Sequence, residues 1–117
     1  MTSLPHSSFS VTVEAGADTA SLRLAGDLDY DTGDELVAHV SRCLAAHPDL
    51  RELRVDCAEL RFCDSTGLSA LLMIHRLTSA GNVRLRVDGP PPFLERMLTT
   101  TGVRGLFLPA SASERAE

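Results

Sequence analysis

Two segments that alternate strictly between apolar and polar residues constrain the fold of this chain most. They are residues 53–57 and 83–87, and residues 65–80 between them have the spacing of a helix closed by Gly81. A strand-helix-strand unit joins parallel strands by a right-handed crossover. Parallel strands covered on both faces are apolar throughout. The alternation therefore predicts a sheet with helices packed on one face, whose other face presents arginines to solvent: Arg23, Arg54, Arg84 and Arg86.

The rest of the chain predicts one α/β domain built around that unit. Its further elements are a hairpin of strands at 9–14 and 20–26, a helix from about Asp31 to before Pro48, a third helix from Phe93, and Leu106 and Phe107 as either a last short strand or a cap on the core. The order β-β-α-β-α-β-α predicts a mixed, mostly parallel sheet of four to five strands. We expect a single domain, residues 1–117, with an ordered core of about 9–108 and short polar tails.

Composition and charge exclude several classes of function. Hydrophobic residues make up 44% and charged residues 23%, a globular balance. The net charge is -5 without a basic run, which argues against nucleic-acid binding. The first residues lack the pattern of a signal peptide, and the longest apolar run, residues 70–74, is too short to span a membrane. We therefore expect a cytoplasmic protein that binds neither nucleic acid nor membrane.

The three cysteines predict neither a disulfide framework nor a metal site. Cys43, Cys57 and Cys63 are odd in number, follow no C-x-x-C spacing and lie in apolar surroundings. Free buried cysteine is typical of a reducing compartment. We expect no metal and no cofactor.

The segment "RFCDSTGLSALLMIHR", residues 61–76, contains the candidate site. Asp64 or Ser65 is suited to cap the helix, since either side chain accepts a free backbone N–H of the first turn. Gly67 lies in that turn, where glycine costs about 1 kcal/mol relative to alanine. It is favourable there if another backbone must approach closely.

Helical spacing divides residues 65–78 into two stripes. The stripe that can lie on the sheet holds Gly67, Leu71, Ile74 and Thr78, with Ala70 beside them. The second stripe holds Ser65, Leu68, Ser69, Leu72, Met73 and Arg76. Exposed leucine and methionine beside a hydroxyl indicate a docking surface for a protein. The alternative is that the third helix or the C-terminal segment covers this stripe.

Catalytic patterns are absent, so we expect no enzyme. A serine nucleophile needs an adjacent base, and His75 lies almost three helical turns from Ser65. The chain has no G-x-S-x-G motif and no phosphate-binding glycine loop. The acids Asp27, Asp29 and Asp31 lack the glycine and distal glutamate of a calcium loop, and we interpret them as loop and capping residues.

Three segments together resemble the STAS family, specifically the bacterial anti-sigma factor antagonists. They are "LRLAGDLD" (22–29), "LRVDCAELRFCDSTGLSALL" (53–72) and "PPFLERMLTTTGVRGLF" (91–107), within a resemblance that covers about residues 9–108. Its specific part is D-S-T-G-L. The resemblance implies a β-sheet with helices on one face, and a small cytosolic switch protein without enzymatic activity.

The resemblance also implies partners and a modification site. The unphosphorylated family member binds an anti-sigma factor that is a serine kinase, and so releases a sigma factor for transcription. The kinase phosphorylates the hydroxyl at the position of Ser65, and a PP2C-type serine phosphatase reverses this. The implied acids of the partner surface are Asp29 and Asp64. With the exposed stripe, the predicted partner-binding set is Asp29, Asp64, Ser65, Thr66, Ser69, Leu72, Met73 and Arg76.

Two residues depart from the family pattern, and one alternative function stays open. Ser69 stands where the family often has a second glycine, and Tyr30 replaces a smaller or imidazole side chain. The alternative is a constitutive scaffold of the same fold, in a stress-sensing or lipid-transport complex, in which Ser65 is only a helix cap. A phosphoryl group at Ser65 would be tolerated at a helix N-terminus and would oppose binding by charge and bulk.

Overall fold

The structure is a computed structural model that describes residues 9–108. The tails predicted at both ends lie outside these residues. The elements are β1 (Ser10–Ala15), β2 (Thr19–Leu28), α1 (Gly33–Ala46), β3 (Glu52–Cys63), α2 (Ser65–Ala80), β4 (Arg84–Asp88), α3 (Pro92–Thr100) and α4 (Arg104–Phe107). The predicted order of strands and helices is confirmed, and α4 is added at its end.

The described residues form one four-stranded sheet in the order β1-β2-β3-β4. β1 pairs with β2 in antiparallel orientation, while β2, β3 and β4 are parallel. The mixed, mostly parallel sheet is therefore confirmed, with four strands in this part of the chain. Because α1 follows β2 and α2 follows β3, both helices begin at the same edge of the sheet, where the two central strands end.

The helices pack on one face of the sheet, as the alternation predicts. Leu22, Leu24, Leu53 and Val55 point inward and are fully buried. They form one core with the apolar residues of the helices, including Leu36, Val40, Leu71, Ile74, Leu94 and Leu98. Burying a side chain of this size stabilises the fold by about 1.5–3 kcal/mol relative to leaving it exposed.

The opposite face of the sheet carries the four predicted arginines, but each is paired with an acid. Arg23 pairs with Asp56, Arg54 with Glu52 and Asp88, Arg84 with Glu52, and Arg86 with Asp88, at distances from 2.6 to 3.8 Å. The hydrogen bond from Arg54 lowers the pKa of the Glu52 carboxyl. We call this surface the arginine face; its charges pair with each other both within strands and between neighbouring strands.

One expectation about element boundaries needs correction, and the alternative left open for Leu106 and Phe107 is decided in favour of the cap on the core. The alternation stops at Cys57, yet β3 continues to Cys63. Its inward residues beyond Cys57 are three apart, Leu60 and then Cys63, because register shifts interrupt the pairing of β2 with β3. The last short strand is not formed. Residues 104–107 make the short helix α4, and Phe107 is buried against the core.

The three cysteines are free and buried. Burial raises the pKa of the Cys57 and Cys63 thiols to about 12, so both are protonated at neutral pH. A protonated thiol is a poor nucleophile and metal ligand. Cys63 ends β3 directly before the candidate site, where its thiol contacts the carbonyl oxygen of Asp64 at 3.6 Å.

Candidate functional site

Asp64, and not Ser65, caps the N-terminus of α2. Asp64 has extended backbone angles, and its Oδ1 accepts the backbone N–H of Gly67 at 2.8 Å. This is the geometry of an N-cap side chain. Ser65 is the first residue inside the helix, so Asp64 is the cap of the two candidates that the sequence offered. One side chain suffices for the cap, and the acid takes that position.

The two hydroxyls beside the cap differ in their partners. Thr66 donates its hydroxyl to Asp64 Oδ1 at 2.6 Å. Within residues 9–108, the exposed Ser65 hydroxyl makes no hydrogen bond. The bond from Thr66, and then that from Gly67 N–H, lower the pKa of the Asp64 carboxyl, so Asp64 is ionised at neutral pH. The site therefore presents a free hydroxyl next to a fixed negative charge.

Gly67 lets the first turn of α2 lie directly against the end of β2. A Cβ on Gly67 would overlap the carbonyl oxygen of Leu28 and would lie 2.9 Å from Cys63 Sγ. The prediction that glycine serves a close approach of another backbone is confirmed. This contact fixes the start of α2, and with it Ser65, relative to the sheet.

The turn between β2 and α1 is held by Asp29 and Thr32. Asp29 Oδ1 accepts the backbone N–H of Asp31 at 3.0 Å and that of Thr32 at 3.3 Å. The buried Thr32 hydroxyl accepts the N–H of Asp29 at 2.8 Å and donates to the carbonyl of Asp27 at 2.9 Å. The Asp29 carboxylate thus organises its own turn, and the residue at the tip of that turn, Tyr30, is 79% exposed.

A groove of about 580 Å³ runs between this turn, the start of α1 and one side of α2. We call it the Tyr30 groove; its lining residues are Asp29, Tyr30, Asp31, Gly33, Asp34, Val37, Thr66, Ser69, Ala70 and Met73. It holds several acids and no basic side chain. Apolar walls with convergent polar groups are typical of binding sites.

The groove brings together half of the predicted partner-binding set. Asp29, Thr66, Ser69 and Met73 line it. Asp64, Ser65, Leu72 and Arg76 do not; on the helix, Ser65, Leu72 and Arg76 lie on the side of the exposed stripe away from the groove. Ser69 connects the groove to the Ser65 position, because its side chain lines the groove and its hydroxyl donates to the backbone carbonyl of Ser65 at 3.1 Å.

The exposed stripe of α2 needs one correction. Leu68 is 8% exposed and belongs to the core, and Leu72 is half-buried. Ser65, Ser69, Met73 and Arg76 are exposed as predicted. Leu68 lies about 100° from Gly67 around the helix, at the border of the buried side, where the surrounding core and not helical spacing determines burial.

Sequence reasoning did not place Tyr30, Asp31, Asp34, Val37 or Phe62 in the site. Phe62 is 48% exposed and lies two residues before Asp64 at the end of β3. Tyr30 departs from the family pattern, and this departure is the one sequence signal that could have assigned Tyr30 to the site. Asp34 and Val37 are one turn apart on α1, a spacing that shows a shared face only once the neighbouring helix is known.

A family model described as "Mlab, STAS domain" matches residues 11–109. The match spans most of the chain, including both strand ends and both helix starts that build the site. The chain belongs to the STAS-domain family. Within residues 9–108, this STAS domain has no helix long and apolar enough to cross a membrane. The same residues contain no group of three His, Cys, Asp or Glu side chains placed to hold a metal ion.

Solved structures of anti-sigma factor antagonists share the fold of this STAS domain. One is an antagonist from Mycobacterium paratuberculosis, at 20% identity and a TM-score of 0.73, with 93% of this chain and 92% of that chain covered. Another is the antagonist SpoIIAA in its unphosphorylated form, at 21% identity and a TM-score of 0.67, covering 93% and 94%. The Bacillus SpoIIAA in the phosphorylated form matches at 22% and 0.62, covering 92% and 96%.

Proposed function

We propose that this STAS domain is an anti-sigma factor antagonist that acts in the cytoplasm and is not itself an enzyme. Its unphosphorylated form binds an anti-sigma factor serine kinase, which releases a sigma factor. Phosphorylation of Ser65 ends the binding, and a PP2C-type serine phosphatase restores it. The observation that supports this is the Ser65 hydroxyl, which is exposed and unbonded among the described residues at the start of a helix fixed by Gly67.

The hydrogen bonds favour Ser65 over Thr66 as the acceptor. The Thr66 hydroxyl is already donated to the ionised Asp64, so its use would break the bond that supports the cap. In the proposed transfer, Ser65 Oγ forms a bond to the γ-phosphorus of ATP, the bond from that phosphorus to ADP breaks, and the hydroxyl proton passes to a base of the kinase. SpoIIAA, which shares the fold, has been solved in both phosphorylated and unphosphorylated forms.

Phosphorylation is expected to change the surface and leave the fold intact. A phosphoserine carries about -1.5 to -2 charge at pH 7. The first turn of α2 has free backbone N–H groups and the positive end of the helix dipole, which tolerate an anion. The added charge lies next to the ionised Asp64 and near the acids of the Tyr30 groove. A partner that packs closely on Ser65 would have to accommodate the bulk of the phosphoryl group and remove water from its charge.

The test is reconstitution with the anti-sigma factor kinases encoded in the same genome. The purified protein is incubated with each kinase and ATP, and intact mass is measured. We expect wild type and Thr66→Val to gain one phosphoryl group and Ser65→Ala to gain none. Calorimetric titration should show that Ser65→Ala binds the kinase and Ser65→Asp binds poorly. Equal affinity of these two variants would contradict the switch.

The alternative function is a constitutive STAS scaffold in a stress-sensing or lipid-transport complex. It shares the fold and the docking surface but predicts no phosphoryl transfer. Its premise that Ser65 is needed as a cap is not met, since Asp64 caps α2. The same mass measurement separates the two functions: no phosphoryl gain with any of these kinases would favour the scaffold.

A further inference from the structure

Two of the large apolar side chains that are exposed within residues 9–108 line the Tyr30 groove. Tyr30, Phe62 and Met73, exposed by 79%, 48% and 41%, lie where β2 and β3 end or along the groove beside them. The two others, Val13 and Leu106, lie elsewhere. Single exposed apolar residues are ordinary, but Tyr30 and Met73 line the same groove, and such a pair marks an interaction surface.

The backbone that carries Tyr30 is held in place before any partner arrives. The hydrogen bonds of Asp29 and Thr32 fix the backbone on both sides of it, and Thr32 is only 4% exposed. A ring on a preorganised turn loses little conformational freedom on binding, which is why aromatic anchors of this kind dominate many interfaces.

The charge of the groove indicates the chemistry of its occupant. The acids of the arginine face are neutralised by arginines, as described above. By contrast, Asp31 and Asp34 are exposed and form no ion pair within residues 9–108, and the groove has no basic lining residue. Unpaired carboxylates around an exposed aromatic ring complement a cation. Arginine fits best, because its planar guanidinium stacks on a ring and pairs with carboxylates.

We infer that the Tyr30 groove receives a segment of the partner protein that carries arginine next to apolar side chains, and that Tyr30 anchors this segment and determines which partner binds. The guanidinium lies over the Tyr30 ring, between Asp31 and Asp34. The apolar side chains pack on Met73 and Val37. This rests on the proposed function, because the partner that docks here is then the kinase that modifies Ser65.

Tyr30 provides its own reporter, since the chain has one tyrosine and no tryptophan. Protein labelled with 3-fluorotyrosine has a single ¹⁹F resonance. The probes are three helical peptides of equal length, with arginine and leucine, glutamate and leucine, or arginine and serine on one face. Only the arginine-leucine peptide should shift the resonance. Asp31→Asn with Asp34→Asn should weaken its binding about tenfold, whereas Asp49→Asn, an exposed acid outside the groove, should not.

Equal shifts from the arginine-leucine and arginine-serine peptides, or no effect of the double variant, would overturn the inference. The second arm of the test measures binding of the kinase to Tyr30 variants. Tyr30→Ala should weaken its binding about tenfold or more, as loss of an aromatic anchor does, while Tyr30→Phe retains most of the affinity. Val13→Ala, a truncation of an exposed apolar residue on β1, is the matched control.

The two arms distinguish the inference from the function. If a kinase phosphorylates Ser65 and binds Tyr30→Ala as tightly as wild type, the inference is wrong and the function stands. If the arginine-leucine peptide binds the groove and no kinase binds or phosphorylates the protein, the inference stands and the proposed function is wrong.

Discussion

The two junctions where a central strand passes into a helix have similar sequences and different structures. "DYDTG" (29–33) leads from β2 into α1, and "DSTG" (64–67) leads from β3 into α2. Each begins with an aspartate whose Oδ1 accepts a backbone N–H, and each ends with a buried glycine. In the first junction the aspartate and threonine build a turn outside the helix. In the second the aspartate caps the helix itself, and the threonine donates its hydroxyl to that aspartate.

One additional residue accounts for this difference. In the first junction the threonine hydroxyl is bonded to Asp27 and Asp29, so α1 has no side-chain cap, and the extra residue, Tyr30, is displayed at the tip of the turn. In the second junction the cap lies directly at the helix start, and the displayed residue is Ser65. One junction presents a large anchor and the other a small modifiable hydroxyl, at the same edge of the sheet.

The largest difference in stability is expected when the glycine of each junction is replaced by alanine. Gly67→Ala should destabilise the domain by about 3 kcal/mol, because the Leu28 carbonyl and the start of α2 cannot both keep their positions. Gly33→Ala should change stability by less than about 1 kcal/mol, because two effects oppose each other. The new Cβ would lie in tight contact, 3.3 Å from that of Ala70, whereas a helix favours alanine over glycine. Urea titration of both variants checks this; equal losses would contradict the difference in packing.

The second largest difference in stability is expected when the threonine of each junction is replaced by valine. Thr32→Val should cost about 2 kcal/mol, because it leaves the N–H of Asp29 and the carbonyl of Asp27 without a buried partner. Thr66→Val should cost about 0.5 kcal/mol, since its single bond to Asp64 is exposed to water. Thermal unfolding of the two variants measures both. A larger loss for Thr66→Val would mean that the second junction depends on its threonine as much as the first.

The contribution of the Asp64 cap to the stability of the domain should depend on pH. The pKa of Asp64 in the folded protein lies below its ordinary value of 3.8, so its ionisation stabilises the fold above that value. This contribution is lost as pH falls through the folded pKa. Asp64→Ala should therefore cost about 1 kcal/mol at pH 7, and the difference from wild type should shrink below about pH 4. Unfolding titrations across this range test the sign; a difference that grows on acidification would contradict it.

The smallest effect is expected at Ser65. Ser65→Ala should change the free energy of unfolding by less than about 0.5 kcal/mol, because the hydroxyl is exposed and unbonded among the described residues. Denaturant titration of this variant beside Asp64→Ala compares the two adjacent positions directly. A loss as large as that of Asp64→Ala would make Ser65 part of the cap after all.

The sequence predicted the elements that follow a regular period and not those that depend on tertiary contacts. Alternation located β4 and the first half of β3, and the capping pattern located the start of α2. The end of β3 was missed because register shifts change the spacing of its inward residues from two to three. Gly26 marks this irregularity with a φ of 98°, but glycine alone does not show where pairing resumes.

The candidate site shows the same limit. The close approach at Gly67 was predictable, because glycine in a first turn needs a reason. The choice between Asp64 and Ser65 as cap was not, since adjacent capping residues differ only in the backbone angles that the fold imposes. The Tyr30 groove was missed because its lining residues come from two helices that are distant in the sequence and from the turn before α1.

The arginine face has an electrical consequence for the whole molecule. Its four arginines and the nearby acids Glu14, Glu52, Asp56 and Asp88 balance in charge, although the chain has a net charge of -5. The excess negative charge must therefore lie off this face, and the unpaired acids of the Tyr30 groove contribute to it. The electric field of a cationic partner exerts a torque on a domain whose charge is distributed in this asymmetric way. A cationic partner would therefore be steered away from the arginine face, with an association rate that falls as salt screens the field.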